Sequence, residues 1–344
     1  MRLAYLDAAR GVALALMVVN HTARYWLAMD ADATRLIYLT TSGAGPTFLF
    51  LVGFVLPLSY RRAAHPLRRA VVRAAGLFAA GYALNVVLAP EQPFLGSNVL
   101  HTIGVAVLLG PLTCRWLARP LGRYALGALG VGLYASFIVS FQPLTVWLDA
   151  HPLVARLAFY DFAFWPWLGL VFVGQALGAA AADLADRRER ARFYASLGMA
   201  ALALALAAAT HEFWWPPSVP VGFSRDLLIT NHWIPRGASV AWVLAWVFAT
   251  LAACFFAIER AGLRLRALTT FGRAALFLYL AHHVIVLTLV KRTLGVSLHS
   301  WPLYWLATAL LLAGLVPLAA GWSALLRRRR AAPAPAPADL SAAA

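Results

Sequence analysis

Residues Leu6 to Ala28 read LDAARGVALALMVVNHTARYWLA, and this run decides the fold. It is long enough to cross a bilayer, which takes roughly 17 to 25 mostly apolar residues. Yet it carries Asp7, Arg10 and His21. A charge or an imidazole inside a membrane-length helix is costly unless it faces a protein interior or a watery cavity, so it reads by default as functional. The steps from Arg10 to His21, at ~1.5 Å each, place the two roughly 16 Å apart along the axis. Arg10 then lies near one membrane face and His21 past the middle.

Composition extends that reading to the whole chain. Hydrophobic residues make up 62% and charged residues 12%, and the mean hydropathy is +0.74. An ordinary soluble globule carries about 25% charged residues. Spans are expected at Leu6 to Ala28, Ala44 to Tyr60, Val71 to Leu88, Val99 to Leu117, Tyr124 to Phe141, Phe162 to Ala182, Phe193 to Ala209, Gly237 to Ala257, Leu268 to Val290 and Trp301 to Leu326. The expected fold is therefore all-α, a polytopic membrane bundle of about ten helices over residues 1–330. The remaining stretch, 331–344, reads AAPAPAPADLSAAA and is too poor in large apolar residues to pack.

The net charge of +16 follows from orientation rather than from nucleic-acid binding. Arginines cluster in alternate loops, at Arg61 to Arg69, Arg115 to Arg123, Arg187 to Arg192, Arg260 to Arg266 and Arg327 to Arg330, while Asp30, Asp32, Glu91, Asp149, Glu212 and Asp226 hold the opposite loops. This is the positive-inside pattern, and it places both termini in the cytoplasm. Lys291 is the sole lysine, an arginine bias that hints at a GC-rich bacterial genome; the expected location is the inner (plasma) membrane. Cys114 and Cys254 fall near the expected cytoplasmic ends of their helices, where a disulfide does not persist, so no structural or metal role is expected of them. The first helix lacks a cleavage site and is expected to be retained.

Six segments in order resemble motifs of the heparan-alpha-glucosaminide N-acetyltransferase-like family, in its bacterial branch, which is related to the acyltransferase-3 group. They are LDAARGVALALMVVNH in the first span, GPTFLFLVGFVLPLSYRR in the second, NVLHTIGVAVLL at the fourth, DFAFWPWLGLVFVGQALG in the sixth, ITNHWIPRGASVAWVLAW at the eighth and LTTFGRAALFLYLAHH in the ninth. The resemblance implies an integral membrane acyltransferase. It would take an acyl group, acetyl in the family, from cytoplasmic acyl-CoA as co-substrate and pass it to a sugar or glycan acceptor at the outer face, without a metal. Eukaryotic members carry a histidine in the loop after the first helix, and the stretch from Trp26 to Ser42 has none. His21 fills the slot used by the bacterial relatives, with ten residues between it and an arginine.

The residues allow that chemistry on their own terms. An acceptor must lose a proton as it attacks a thioester, and an imidazole suits the task at neutral pH. His21 is the first candidate, with an interhelical packing hydrogen bond as the alternative. Of the adjacent pair His282 and His283, which point about 100° apart on a helix, His282 matches the family's histidine and is preferred as the second catalytic residue. Arg10 and Arg273 enter their helices from the cytoplasmic side and suit the phosphates of coenzyme A; a pairing of Arg10 with Asp7 and snorkelling of Arg273 are the alternatives. Asn98, His101, Asp161, Asn231 and His232 stand at outer helix ends beside tryptophans and are candidates for binding the acceptor, or else for capping.

Other classes fare less well. HEFWW at His211 lacks the second histidine of a zinc-binding HExxH, and adjacent histidines cannot both ligate from one helical face, so no metal is expected. A transporter without acyl transfer is the competing function, but the span interiors lack the mid-membrane acid that proton- or sodium-coupled carriers often use.

Overall fold

The computed structural model describes residues 3–29, 37, 38, 40–62, 66–90, 92–119, 121–214 and 237–331. Asn231, His232, the acidic loop residues Asp30, Glu91 and Asp226, and the tail beyond 331 lie outside them. The described residues form helices and connecting turns, with no strand among them. In order they are α1 (Ala4–Trp26), α2 (Ala44–Arg62), α3 (Leu67–Leu88), α4 (Val99–Leu117), α5 (Gly122–Asp149), α6 (Pro152–Phe159), α7 (Phe164–Asp183), α8 (Arg187–Trp214), α9 (Gly237–Phe255), α10 (Arg266–Arg273), α11 (Ala275–His283) and α12 (Trp301–Ala331). α9 runs on as a π-helical turn, Phe256–Arg260, and α11 as a longer π-helical stretch, Val284–Thr293.

Among the described residues, nine helical segments are long and apolar enough to cross a membrane, and the protein is an all-α polytopic membrane bundle. The expected first span is not one of the nine. α1 is 23 residues long, about 34 Å at ~1.5 Å per residue, so length is not its deficit; Asp7, Arg10, Asn20 and His21 lower its hydropathy. Its position resolves the conflict. α1 packs on α2, α9, α10, α11 and α12, so its polar groups meet protein rather than lipid, as their cost in hydrocarbon requires. α5, α8 and α12 lie outside and show Val139, Leu206, Leu306 and Leu310 on their outer surfaces.

Small residues let the inner helices touch backbone to backbone, the usual device where no hydrophobic drive joins helices. On α7, a Cβ at Gly174 would overlap the carbonyl oxygen of Phe50, and one at Gly178 that of Phe54. α2 and α7 therefore seat directly on each other.

The expected ninth span is broken. Rather than one helix from Leu268, the chain turns at Ala274, whose φ and ψ of −101° and 16° are not helical. α10 is a separate amphipathic helix carrying Arg266 and Arg273, pressed so tightly on α1 that a Cβ at Gly272 would overlap the carbonyl oxygen of Asp7. The span proper begins at Ala275.

Candidate active site

α1 brings His21 to α11. The Nδ1 of His21 lies 2.9 Å from Nε2 of His282. Their rings are within 6° of parallel with centroids 5.1 Å apart. That separation exceeds the nitrogen distance by about two ring radii, so the rings meet edge to edge in one plane, as a direct N–H···N bond requires. His282 Nδ1 donates in turn to the carbonyl of Leu278 at 2.9 Å, and His283 Nδ1 donates to that of Tyr279 at 2.8 Å.

A carbonyl only accepts, so these bonds assign the tautomers. With its proton on Nδ1, neutral His282 offers Nε2 as an acceptor, and His21 Nδ1 must be the donor. The basic nitrogen of neutral His21 is then Nε2. For His283 the same argument leaves Nε2 as the basic nitrogen.

A cavity of about 70 Å³ adjoins the cluster. Its polar wall is Asn20, His21, Thr41, Ser42, Gln92, Asp161 and His283, with Tyr279 and Phe162 among the apolar lining. Asn20 donates to Thr41 Oγ1 at 2.8 Å, and Thr41 to the carbonyl of Ile37 at 2.7 Å, which holds the end of α1 against the approach to α2. Asp161 is fixed by its backbone N–H, which donates to Ser97 O at 3.0 Å.

The sequence-based site residues thus separate into three groups. His21 and Asp161 share the cavity wall. His282 touches His21 but is fully buried behind it, and His283, which the sequence placed second, is the one that faces the cavity. Thr41, Ser42 and Gln92 carried no motif by which to be found, and Asn20, though inside the first motif, drew no notice beside His21.

Asn98 and His101 do not line the cavity. Asn98 caps α4, its Oδ1 accepting from Leu100 N at 3.0 Å, and its amide donates to Gly81 O and Asn85 Oδ1 at 3.1 and 2.8 Å. His101 Nδ1 accepts from Asn98 N at 3.1 Å, completing a capping box. Both are 1% exposed, and they join α3 to α4.

Arg10 and Arg273 converge on Asp7, at 3.4 and 3.6 Å. The carboxylate is 2% exposed, while the two guanidinium side chains are 24% and 46% exposed. The cluster sums to one net positive charge near the arginine-rich end of α1. At that same end Asp183 bridges Arg61 and Arg123, the second at 2.9 Å.

Helix spacing argued against a metal by looking at one helix at a time, but the fold gathers three imidazoles from two helices, with one nitrogen of each within 4.8 Å of the others. The donor set does not fit an ion as arranged. Zinc ligands converge on a common point from about 2.0–2.1 Å each, whereas His21 Nδ1 and His282 Nε2 face each other and share a proton.

Comparison with curated proteins gives no match. The sequence profile of the heparan-alpha-glucosaminide N-acetyltransferase catalytic domain matches residues 2–214, a stretch that holds His21 and Asp161 and stops short of α11. Spanning more than half of the sequence, that match shows that the chain belongs to the heparan-alpha-glucosaminide N-acetyltransferase family of membrane acetyltransferases.

Proposed function

We propose that the protein moves an acetyl or similar acyl group from a coenzyme A thioester, arriving at its arginine-rich face, to a sugar or glycan acceptor that enters the His21 cavity from the opposite side. The observation that carries this reading is the hydrogen-bond chain from His21 Nδ1 through His282 to the carbonyl of Leu278. It holds the His21 ring in one tautomer with Nε2 as the base.

In the reaction, the acceptor's nitrogen or oxygen attacks the thioester carbonyl while His21 Nε2 takes its proton. As the tetrahedral intermediate collapses, the carbon–sulfur bond breaks and the departing thiolate receives that proton from the imidazolium. His282 stabilises the positive ring by accepting from its Nδ1–H, and acts as a positioning residue. Asp161, His283 and Asn20 supply hydrogen-bonding groups for a polar acceptor. Arg10 and Arg273 leave an excess of positive charge at the donor's end of α1.

The positive-inside rule supports placing the arginine loops in the cytoplasm, where acyl-CoA is made, and both termini with them. The acceptor cavity then opens away from the cytoplasm, in the inner membrane of a bacterial cell.

The test is transfer itself. Inverted vesicles carrying the protein, given acetyl-CoA labelled in its acetyl group, should label an extractable glycan or lipid-linked sugar, and vesicles with His21→Ala should not. Labelling that is equal in the two vesicle types would end the reading of His21 as base.

A further inference from the structure

A second hollow, of about 610 Å³, opens at the arginine-rich end of the bundle between the last turns of α2, the start of α3 and the last turns of α4. Pro57 within α2 and Pro111 within α4 both stand in its wall. Each lacks the N–H of an i→i−4 hydrogen bond and crowds the preceding turn, so each helix, though continuous, is short of one backbone bond where the cleft forms. The wall is otherwise apolar, with Leu108 and Leu112 prominent, and Tyr60, Arg61 and Arg115 supply its polar groups. Arg61 is engaged by Asp183; Arg115 is exposed and makes no ion pair among the described residues.

The His21 cavity belongs to the same seam. Ala44 to Pro46 of α2, Leu88 of α3 and Val99 of α4 line it. The two hollows therefore mark opposite ends of one three-helix junction, roughly 21 Å apart from Pro46 to Tyr60 at ~1.5 Å per residue. A ligand suited to both has an anionic end, a long flexible arm and a reactive group at the far tip.

We propose that this cleft seats the phosphate-bearing end of the acyl-CoA donor, with Arg115 on a phosphate and the acyl arm directed along the α2–α4 seam to His21. The assignment rests on the transferase reading and moves the donor's anchor away from Arg10 and Arg273, which are held on Asp7. Arginine's planar fork matches phosphate geometry, and apolar walls suit an adenine face and a methylated arm.

The experiment uses the full-length protein in phosphatidylcholine nanodiscs and measures coenzyme A binding by calorimetry. Arg115→Ala removes the charge, and Leu112→Trp fills the cleft without touching any charge. Each should weaken coenzyme A binding at least tenfold at an unchanged melting temperature. Arg115→Lys, which keeps the charge and loses the fork, should fall between. If wild type binds and both Arg115→Ala and Leu112→Trp bind equally well, the cleft assignment is wrong while the transferase reading stands. A wild-type protein that does not bind coenzyme A at all overturns the donor reading itself. Should the variants lose only a co-purifying anionic phospholipid, seen by native mass spectrometry, with coenzyme A affinity intact, the cleft is a lipid site and the proposal fails. Where Arg115→Ala melts early, Leu112→Trp decides.

Discussion

The indole Nε1 of Trp26 donates to the carbonyl of Val286 at 2.9 Å. That bond ties the end of α1 to the π-helical continuation of α11, a little more than one turn beyond His21 on one side and His282 on the other. Losing it removes one interhelical hydrogen bond, at about 0.5–1.5 kcal/mol. Trp26→Phe should lower the melting temperature modestly and lower acyl transfer at least tenfold, since a shift of ~1 Å near the chemistry can cost 10²-fold. Assays at equal amounts of folded protein check it; activity that falls only with the folded fraction would make Trp26 a packing residue alone.

His21 and His282 should part company in kinetics. Removing a general base costs about 10²- to 10⁴-fold, and His21→Ala is expected in that range with little change in stability, because an interhelical hydrogen bond in a membrane averages only ~0.6 kcal/mol. His282→Ala should cost less, and His282→Gln, whose side-chain oxygen can still accept from His21 Nδ1, should recover part of the loss. Turnover measured across pH 6 to 9 for all three variants separates base from positioner.

Asp7 serves two arginines, so its removal should matter more than that of either partner. Asp7→Asn is expected to destabilise the protein more than Arg10→Ala or Arg273→Ala, yet by less than the ~3–5 kcal/mol of a fully buried pair, because both guanidinium groups reach solvent. Thermal unfolding in detergent of the three single variants gives the ranking. Equal shifts for all three would mean that solvent, not Asp7, holds the arginines.

Orientation is checked by single cysteines in a background free of Cys114 and Cys254. Labels at positions 62, 188 and 328 should react only with membrane-permeant reagents in intact cells, and those at 30, 91 and 226 with impermeant ones. Impermeant labelling at 188 would invert the bundle.

Much of this architecture was legible in the sequence because lipid imposes a simple code: long apolar runs separated by charged loops. The code failed where a helix answers to protein instead of lipid. The break at Ala274 escapes the sequence because Leu268, Ala274 and Ala275 let the apolar reading run on into α10, an amphipathic helix bounded by Arg266 and Arg273 whose packing on α1 the sequence does not show. For the candidate site, His21 and His282 could be named because histidines are rare inside spans. Which of His282 and His283 meets the cavity depends on the rotation of α11 about its axis, fixed by its neighbours. Asn98 and His101 drew notice as polar groups at a helix end, yet their partners, Gly81 and Asn85, lie on another helix, and the sequence does not reveal that pairing.

The polarity of α1 also bears on the order of assembly. An isolated helix holding Asp7, Arg10, Asn20 and His21 partitions poorly into lipid, where polar and ionisable groups are costly without protein partners. Apart from α2, its neighbours are α9 to α12, which are synthesised last. α1 thus completes its packing late, and the His21–His282 pair closes only once ribosomal synthesis has delivered α11. A chain truncated before that point carries most of its spans, and no relay.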